Sequence, residues 1–313
     1  NKSIHFIGLG GSGMIGLCQF LVECDQVELS GSDINKTSSI KQLIKKNVRY
    51  FDHHSADHIS DVDIVVYSTA ISADNVEFLA AKEKNKQIFH RAEFLIKLMS
   101  DYKDRIIVSG THGKTTSTGM LINIFKAAKK DPSFSVGGQL NPEKINGKYK
   151  KSNVFIAESD ESDGSFLKFQ PTYTVLTNVE PDHIDFFESY EKMYKEFKRF
   201  INKVSKKDQF LAVNKDDKWV SSQKEMLKKS NIWTFSTYQK ATCQAKNMIF
   251  KDSGTHFDLF YKDNYVDTIQ LNTFGIHNIY NALGACSISL KFGIPIKYIK
   301  TGLKTFYGVN RRL

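Results

Sequence analysis

Short apolar runs at residues 4–7, 27–29, 48–51, 64–67 and 88–89 alternate with stretches of helical spacing or composition at 14–22, 40–46 and 76–84. Brief apolar runs read as buried strands, and helices interposed at this interval predict βαβ units and a mostly parallel sheet. A short polar stretch at 100–104 reads as a linker, after which a second α/β series opens with strand-like runs at 105–108, 154–157, 174–176 and 210–213. Between the last two, Tyr190, Met193, Tyr194, Phe197, Ile201 and Val204 recur at helical spacing among Lys and Glu, one apolar stripe on a solvated helix. Residues 242–274 carry longer β-like runs, including the alternating Thr255-His-Phe-Asp-Leu-Phe-Tyr261, and predict an antiparallel patch at the edge of the second domain. Two helical patterns follow at 277–290 and 295–305, the second with Pro295 in its first turn. The basic, polar stretch 142–152 predicts a mobile loop. The expected fold is therefore α/β: a Rossmann-like parallel-sheet domain over 1–100 and a central domain over 101–307 with an antiparallel β patch.

Length and composition agree with two domains. At 313 residues, with 41% hydrophobic and 25% charged side chains, the chain can bury a substantial core and has none of the polar bias of a disordered protein. Its net charge of +10 raises nucleic acid as a partner. Arginine usage argues against that, because only six of the 44 basic residues are Arg, the side chain suited to bidentate reading of bases and phosphates. The surplus also lies wholly after residue 100, since the first hundred residues hold 11 basic and 12 acidic groups. Neither a nucleic-acid nor a membrane partner is expected, there being no apolar run of about 18 residues. Cys18, Cys24, Cys243 and Cys286 form no C-x-x-C pair and no secretory leader is visible, so free thiols in a cytoplasmic protein are expected. The chain begins at Asn1 close to a strand and stops at Leu313 just after two arginines, which suggests a piece of a longer protein.

Four stretches carry chemistry. Gly8-Leu-Gly10-Gly11-Ser12-Gly13 is a G-x-G-x-x-G between a strand and a helix, and Asp33 follows Gly13 by twenty residues at the end of the second strand. Glycines there let backbone approach a pyrophosphate at the helix N-terminus, and the acid can accept from a ribose hydroxyl. Pattern alone does not separate NAD from a UDP-sugar, and an NAD-dependent oxidoreductase stays open on this motif. The second domain opens with Gly110-Thr111-His112-Gly113-Lys114-Thr115-Thr116, a phosphate loop shorter than the Walker A pattern, with Lys114 for the outer phosphates and the Thr115 hydroxyl for Mg²⁺. Acidic stations at successive strand ends, Glu158-Ser-Asp-Glu-Ser-Asp163 and Asn178-Val-Glu-Pro-Asp-His183-Ile-Asp185, should face the same crevice, where carboxylates opposite a polyphosphate need a hard cation between them. Finally, His277-Asn278-Ile-Tyr-Asn281 opens a helix with two amides on one face, suited either to a purine edge or to capping.

These motifs in this order, ending in Gly308-Val-Asn-Arg311-Arg312, resemble the Mur ligases from one end of the chain to the other. The resemblance implies ATP-dependent amide ligation in peptidoglycan precursor synthesis. The motif variants are most similar to the members that join L-alanine to UDP-N-acetylmuramate through an acyl phosphate, and next to the recycling members that attach a tripeptide. It implies Lys114, Glu158 and His183 as catalytic residues. Residues 110–116 with His277, Asn278, Asn281 and Arg311 would bind ATP, and Thr115, Glu158 and His183 would hold magnesium. Gly10, Gly11, Ser12, Gly13, Asp33, Ser68, Thr69, Ala70 and Ile71 would bind the UDP-sugar. It also implies a third, amino-acid-binding domain, of which 308–313 would be the first stub, so that this stretch alone would ligate poorly.

Overall fold

The computed structural model describes residues 2–161, 164–181 and 187–310. Contacts divide the chain into two units. The first holds Asn1–Asp101 together with Ser133–Gln139 and Lys144–Lys151. Its elements are β1 (Lys2–Ile7), α1 (Ser12–Leu21), β2 (Val27–Ser32), α2 (Ser38–Ile44), β3 (Arg49–Phe51), β4 (Ile64–Tyr67), α3 (Val76–Glu83), β5 (Gln87–His90) and α4 (Arg91–Met99). The strands form an all-parallel sheet in the order β3-β2-β1-β4-β5. Polar side chains start α2 and α3: Thr37 accepts from the Ile40 amide, and Asn75 accepts from the Glu77 and Phe78 amides. Helix α4 has no counterpart in the sequence pattern because nothing punctuates its start. His90 ends β5 and is itself the N-cap of α4, paired with Glu93 in a capping box.

The second unit begins with β6 (Asp104–Ser109) and α5 (Lys114–Ala127). Two strands then follow, β7 (Ser133–Leu140) and β8 (Ile145–Lys148), whose residues 133–139 and 144–151 belong to the first unit. The chain continues through β9 (Val154–Glu158), β10 (Tyr173–Leu176), α6 (Tyr190–Val204), β11 (Phe210–Asn214), α7 (Lys218–Ser222), β12 (Ile232–Ser236), β13 (Cys243–Lys251), β14 (Gly254–Tyr261), β15 (Asn264–Leu271), α8 (Ile276–Phe292) and α9 (Ile296–Lys304). Its sheet includes the order β15-β14-β13-β12-β11-β10-β6-β9. From β9 to β13 the pairing is parallel, and β13-β14-β15 is the antiparallel patch the sequence texture predicts.

The stripe on α6 buries Met193, Phe197, Phe200, Ile201 and Val204 against Phe166, Leu211 and Val213. Each such side chain contributes about 1.5–3 kcal/mol on removal from water. Among the described residues no helix is long and apolar enough to cross a membrane. Cys18, Cys243 and Cys286 are buried and all four cysteines are free; burial pushes the Cys243 and Cys24 thiols up to about 11, leaving them inert at neutral pH.

Two expectations are corrected. The stretch 142–152 is not a loop throughout, since β8 occupies part of it, and residues 133–139 and 144–151 join the first unit although they lie in the span assigned to the second domain. Both follow from one contact. Gly147 in β8 lies against Gly16 in α1, so close that a Cβ at Gly147 would meet the Gly16 carbonyl oxygen at 1.9 Å. The Gln19 side chain accepts from the Asn146 and Gly147 amides at 2.6 and 3.1 Å. A strand of sequence Ile-Asn-Gly-Lys has no apolar signature because the helix needs its backbone, not its side chains.

Candidate functional sites

In the second unit the phosphate loop joins β6 to α5. Ile106, Ile107 and Val108 anchor it in the core, and the loop glycines are dictated by close approach. Gly110 has φ +127°, and a Cβ there would lie 2.2 Å from Thr177 Oγ1. Gly113 has φ +82°, and its Cβ would lie 2.3 Å from Asn281 Oδ1. The loop is clamped by the segment after β10. The Thr111 amide donates to the Asn178 carbonyl (3.1 Å), and the His112 amide donates to Asn178 Oδ1 (2.8 Å). Asn178 Nδ2 and Thr177 Oγ1 donate to the His112 carbonyl at 3.1 and 2.6 Å. Thr111 Oγ1 accepts from the Glu180 amide at 3.0 Å. The clamp spends the Thr111 and His112 amides on Asn178 and so fixes the loop's backbone ahead of α5, whose first-turn amides have no intrahelical partner and can face a phosphate.

Lys114 Nζ donates to the Gly110 carbonyl (2.7 Å), the Thr111 carbonyl (3.1 Å) and the Glu161 carboxylate (2.9 Å). Burial pushes the Glu161 carboxyl up while Lys114 pulls it down, with a net rise. Glu158 ends β9 directly beside Val108 of β6, in the parallel register that brings these strand ends together. Thr115 and Thr116 stand in the first turn of α5. Hydroxyl and carboxylate oxygens are the hard donors that suit magnesium, and the start of α5 and the end of β9, next to β6, supply one of each. His183 and Arg311 lie outside the described residues, as do Ser162, Asp163, Asp182, Asp185 and Arg312.

Helix α8 enters through Gly275 at φ +93°. Its two amides take different parts. Asn278 Nδ2 donates to the Phe274 carbonyl at 2.6 Å, and His277 is exposed beside it. Asn281 is buried, accepts from Ser117 Oγ at 3.2 Å and touches Gly113, so it buttresses the phosphate loop. A cavity of about 710 Å³ opens between the loop, the ends of β10 and β11 and the start of α8, lined among others by His112, Gly113, Asn178, His277 and Asn278.

The same cavity is lined by Asp216, Asp217 and Tyr280, which the motif reading missed. Asp216 accepts from Ser236 Oγ (2.7 Å), the Thr237 amide (2.8 Å) and Tyr280 OH (2.9 Å), tying the ends of β11 and β12 to α8. Asp217 accepts from the Val179 and Val220 amides at 2.9 and 2.8 Å; burial pushes its carboxyl up against those bonds. The signal was present, since Asn214-Lys-Asp-Asp217 is a third acidic group at a strand end of the same series.

In the first unit the glycine-rich turn follows β1, and the Ser68-to-Ile71 turn follows β4, its parallel neighbour. The strand order reverses between these two strands, the switch point where α/β sheets open a crevice. Gly8 has φ +80°, and a Cβ there would lie 2.8 Å from Ser68 Oγ. Gly10, Gly11, Ser12 and Gly13 lead into α1, with Gly11 as N-cap. Asp33 Oδ2 accepts from the Gly10 amide at 2.7 Å, and Oδ1 accepts from the Asn35 amide at 2.8 Å, so this carboxylate also fixes the turn. Thr69 bonds His90 Nε2 at 3.1 Å, and Ala70 is exposed. Arg91 was not anticipated: its guanidinium reaches to 3.0 Å from the position of a Gly13 Cβ, a cation over the glycine turn.

Known proteins agree with this architecture. Residues 3–103 match the model described as Mur ligase family, catalytic domain, and residues 108–289 match the Mur ligase middle domain. The UDP-N-acetylmuramate–L-alanine ligase of Aquifex aeolicus is 38% identical over the whole chain, which covers 68% of that protein, and its namesake from Dictyoglomus turgidum is 38% identical with 66% covered. The chain thus spans about two thirds of the length of these relatives. The crystal structure of the UDP-N-acetylmuramate-alanine ligase from Thermotoga maritima superposes with a TM-score of 0.88 at 25% identity, covering 100% of this chain and 70% of that one. A Neisseria meningitides UDP-N-acetylmuramate:L-alanyl-gamma-D-glutamyl-meso-diaminopimelate ligase shares the fold at 23% identity, TM-score 0.86, with 99% of both chains covered. With a family model over more than half of its length and relatives of this identity from end to end, the chain belongs to the Mur ligase family.

Proposed function

We propose that this chain forms the UDP-sugar and ATP units of a cytoplasmic ligase that joins L-alanine to UDP-N-acetylmuramate. The observation that carries the reading is the clamped phosphate loop at residues 110–116 within a chain 38% identical to ligases of that name. Carboxylates are poor electrophiles, so amide formation needs activation. The lactoyl carboxylate attacks the γ-phosphorus of ATP, releasing ADP and giving an acyl phosphate; the alanine amine then displaces inorganic phosphate and loses a proton. Catalysis of this kind rests on positioning and charge neutralisation.

With the Thr111 and His112 amides held by Asn178, the first-turn amides of α5 and Lys114 hold the phosphates, and Lys114 exchanges its Glu161 partner for a phosphate oxygen. Thr115 and Glu158, with His183, would hold magnesium, which supplies charge neutralisation between the phosphates when bound. His277 and Asn278 border the cavity on the side where adenine would lie, while Asn281 supports the loop. Arg311, outside the described residues, would add a nucleotide contact on the motif resemblance alone. In the first unit the turn at 10–13, Asp33, the 68–71 turn and Arg91 hold the UDP-sugar.

Calorimetric titration with ATP and with UDP-N-acetylmuramate tests the reading. Each should bind one site, and neither should displace the other. A folded chain that binds neither ligand overturns it, and binding of NADH in place of both revives an oxidoreductase. Phosphate release by the native gene product should require L-alanine; release only with the tripeptide assigns the recycling reaction instead.

A further inference from the structure

Three histidines converge on one buried carboxylate in the first unit, next to the glycine turn, whose Gly8 and Leu9 amides donate to the Ser32 carbonyl. Glu77, in the first turn of α3, is fully buried, as is His5 in the middle of β1. Glu77 Oε1 bonds His5 Nε2 at 3.2 Å and His58 Nδ1 at 2.7 Å. Its Oε2 accepts from Ser32 Oγ at 2.5 Å and bonds His54 Nδ1 at 2.6 Å. One ligand atom from each of His5, His58 and Glu77 lies within 4.8 Å of the other two, and among the described residues no other group of this kind is found.

We propose that His5 Nε2, His58 Nδ1 and Glu77 Oε1 form a binding site for a divalent transition-metal cation, with Zn²⁺ the best-matched ion. Two imidazoles and one carboxylate are a recurrent zinc set that leaves one coordination position open. Ligand atoms held about 2.0–2.2 Å from a tetrahedral zinc stand about 3.3–3.6 Å apart, so the two pairs at 2.7 and 3.2 Å would open by under about 1 Å and the His5–His58 pair lies within 4.8 Å.

The outer shell is built as well. His5 Nδ1 faces Ser30 Oγ at 2.8 Å, so the imidazole proton can move from Nε2 to Nδ1 and donate to that hydroxyl while Nε2 takes the metal. The Phe51 ring stacks on His58 at 3.6 Å between centroids and 16° between planes, fixing its orientation. Ser32 and His54 hold the second oxygen of Glu77, the usual support of a ligating carboxylate. On the outer side of the cluster a cavity of about 650 Å³ is lined by Ser30, Phe51, Asp57 and His58. A hydrogen-bonded carboxylate alone needs donors, which serine or asparagine could supply; three imidazoles with an outer shell call for more.

Metal uptake is measured on the metal-stripped chain by titration with Zn²⁺ against a chromophoric chelator, and with Co²⁺ by its visible ligand-field absorption. One equivalent should bind, with the intensity of a low-coordinate nitrogen and oxygen site. His58→Asn should weaken uptake about 100-fold, and Ser30→Ala, which removes only the outer contact, about 10-fold. Far-UV circular dichroism confirms that each variant is folded, and Ser30→Ala keeps the test decisive should His58→Asn fail. Absence of uptake by the parent chain, or equal uptake by parent and His58→Asn, overturns the proposal; the second outcome would place the ion on the carboxylates of the other unit.

Discussion

Asn178→Ala tests whether the segment after β10 organises the phosphate loop before nucleotide arrives. The substitution deletes the acceptor for the His112 amide (2.8 Å) and the donor to the His112 carbonyl (3.1 Å). Each bond is worth about 0.5–1.5 kcal/mol, and because this part of the loop is partly exposed, water replaces the lost partners and the lower half of the range applies. Three clamps survive: the Thr111 amide on the Asn178 carbonyl, Thr177 Oγ1 on the His112 carbonyl, and the Thr111–Glu180 pair. The loop should therefore loosen without melting. Apparent affinity falls by the fraction of chains that hold the binding geometry, and ~1–2 kcal/mol of lost organisation corresponds to an ATP dissociation constant about 5–30-fold higher. Calorimetry with ATP reads it directly. Asn178→Asp supplies the direction: it keeps an acceptor for the His112 amide but sets a carboxylate oxygen against the His112 carbonyl, and should bind ATP more weakly still. An Asn178→Ala chain with parental secondary structure and an ATP affinity within twofold of the parent would refute the reasoning.

Glu161→Gln removes the anion that competes with phosphate for Lys114; ATP should bind several-fold tighter by equilibrium titration, a gain of ~1 kcal/mol from the freed charge, and weaker binding would mean that Glu161 organises the site. Gly147→Ala forces a Cβ into the Gly16 carbonyl and should destabilise the first unit by about 1–3 kcal/mol or more. Thermal melting by circular dichroism should show this as an early transition that tryptophan fluorescence misses, because Trp219 and Trp233 both belong to the second unit. Arg91→Ala should weaken UDP-N-acetylmuramate binding by ~1–2 kcal/mol, the worth of a charge-assisted contact, and leave ATP binding unchanged; equal loss of both would show a folding defect instead.

The strands at 64–67 and 210–213, the amphipathic helix over 190–204 and the antiparallel patch after residue 242 were all legible, because each depends on a hydrophobic period that a local window contains. The glycine loops were legible for a related reason. Gly110 and Gly113 are fixed by positive φ and by neighbours that leave no room for a Cβ, and glycine records such a demand at its own position. Parallel topology gathers the carboxyl ends of strands on one edge, and of the two acidic stretches read there Asn178 and Glu180 line the cavity beside the phosphate loop. The same rule, applied once more, would have found Asp216 and Asp217.

What lay beyond the sequence depends on pairs far apart in the chain. Asn281 carries the same amide whether it faces a base or a loop, and only the packing of α8 beside α5 sets it against Gly113 and Ser117. Arg91 reaches the glycine turn because α4 starts directly from β5. Residues 133–139 and 144–151 join the first unit through a backbone contact that leaves no apolar trace, and His5, His54, His58 and Glu77 meet only when β1, α3 and the segment between β3 and β4 are folded together. The sequence by itself determined the family, the two glycine loops and most of the strands and helices, since these are written in local periodicity and in residues with one permitted conformation; α4, β7 and β8 left no such trace. Tertiary structure decided which polar side chains hold the loops together, because a hydrogen bond between residues many positions apart has no signature in either partner alone.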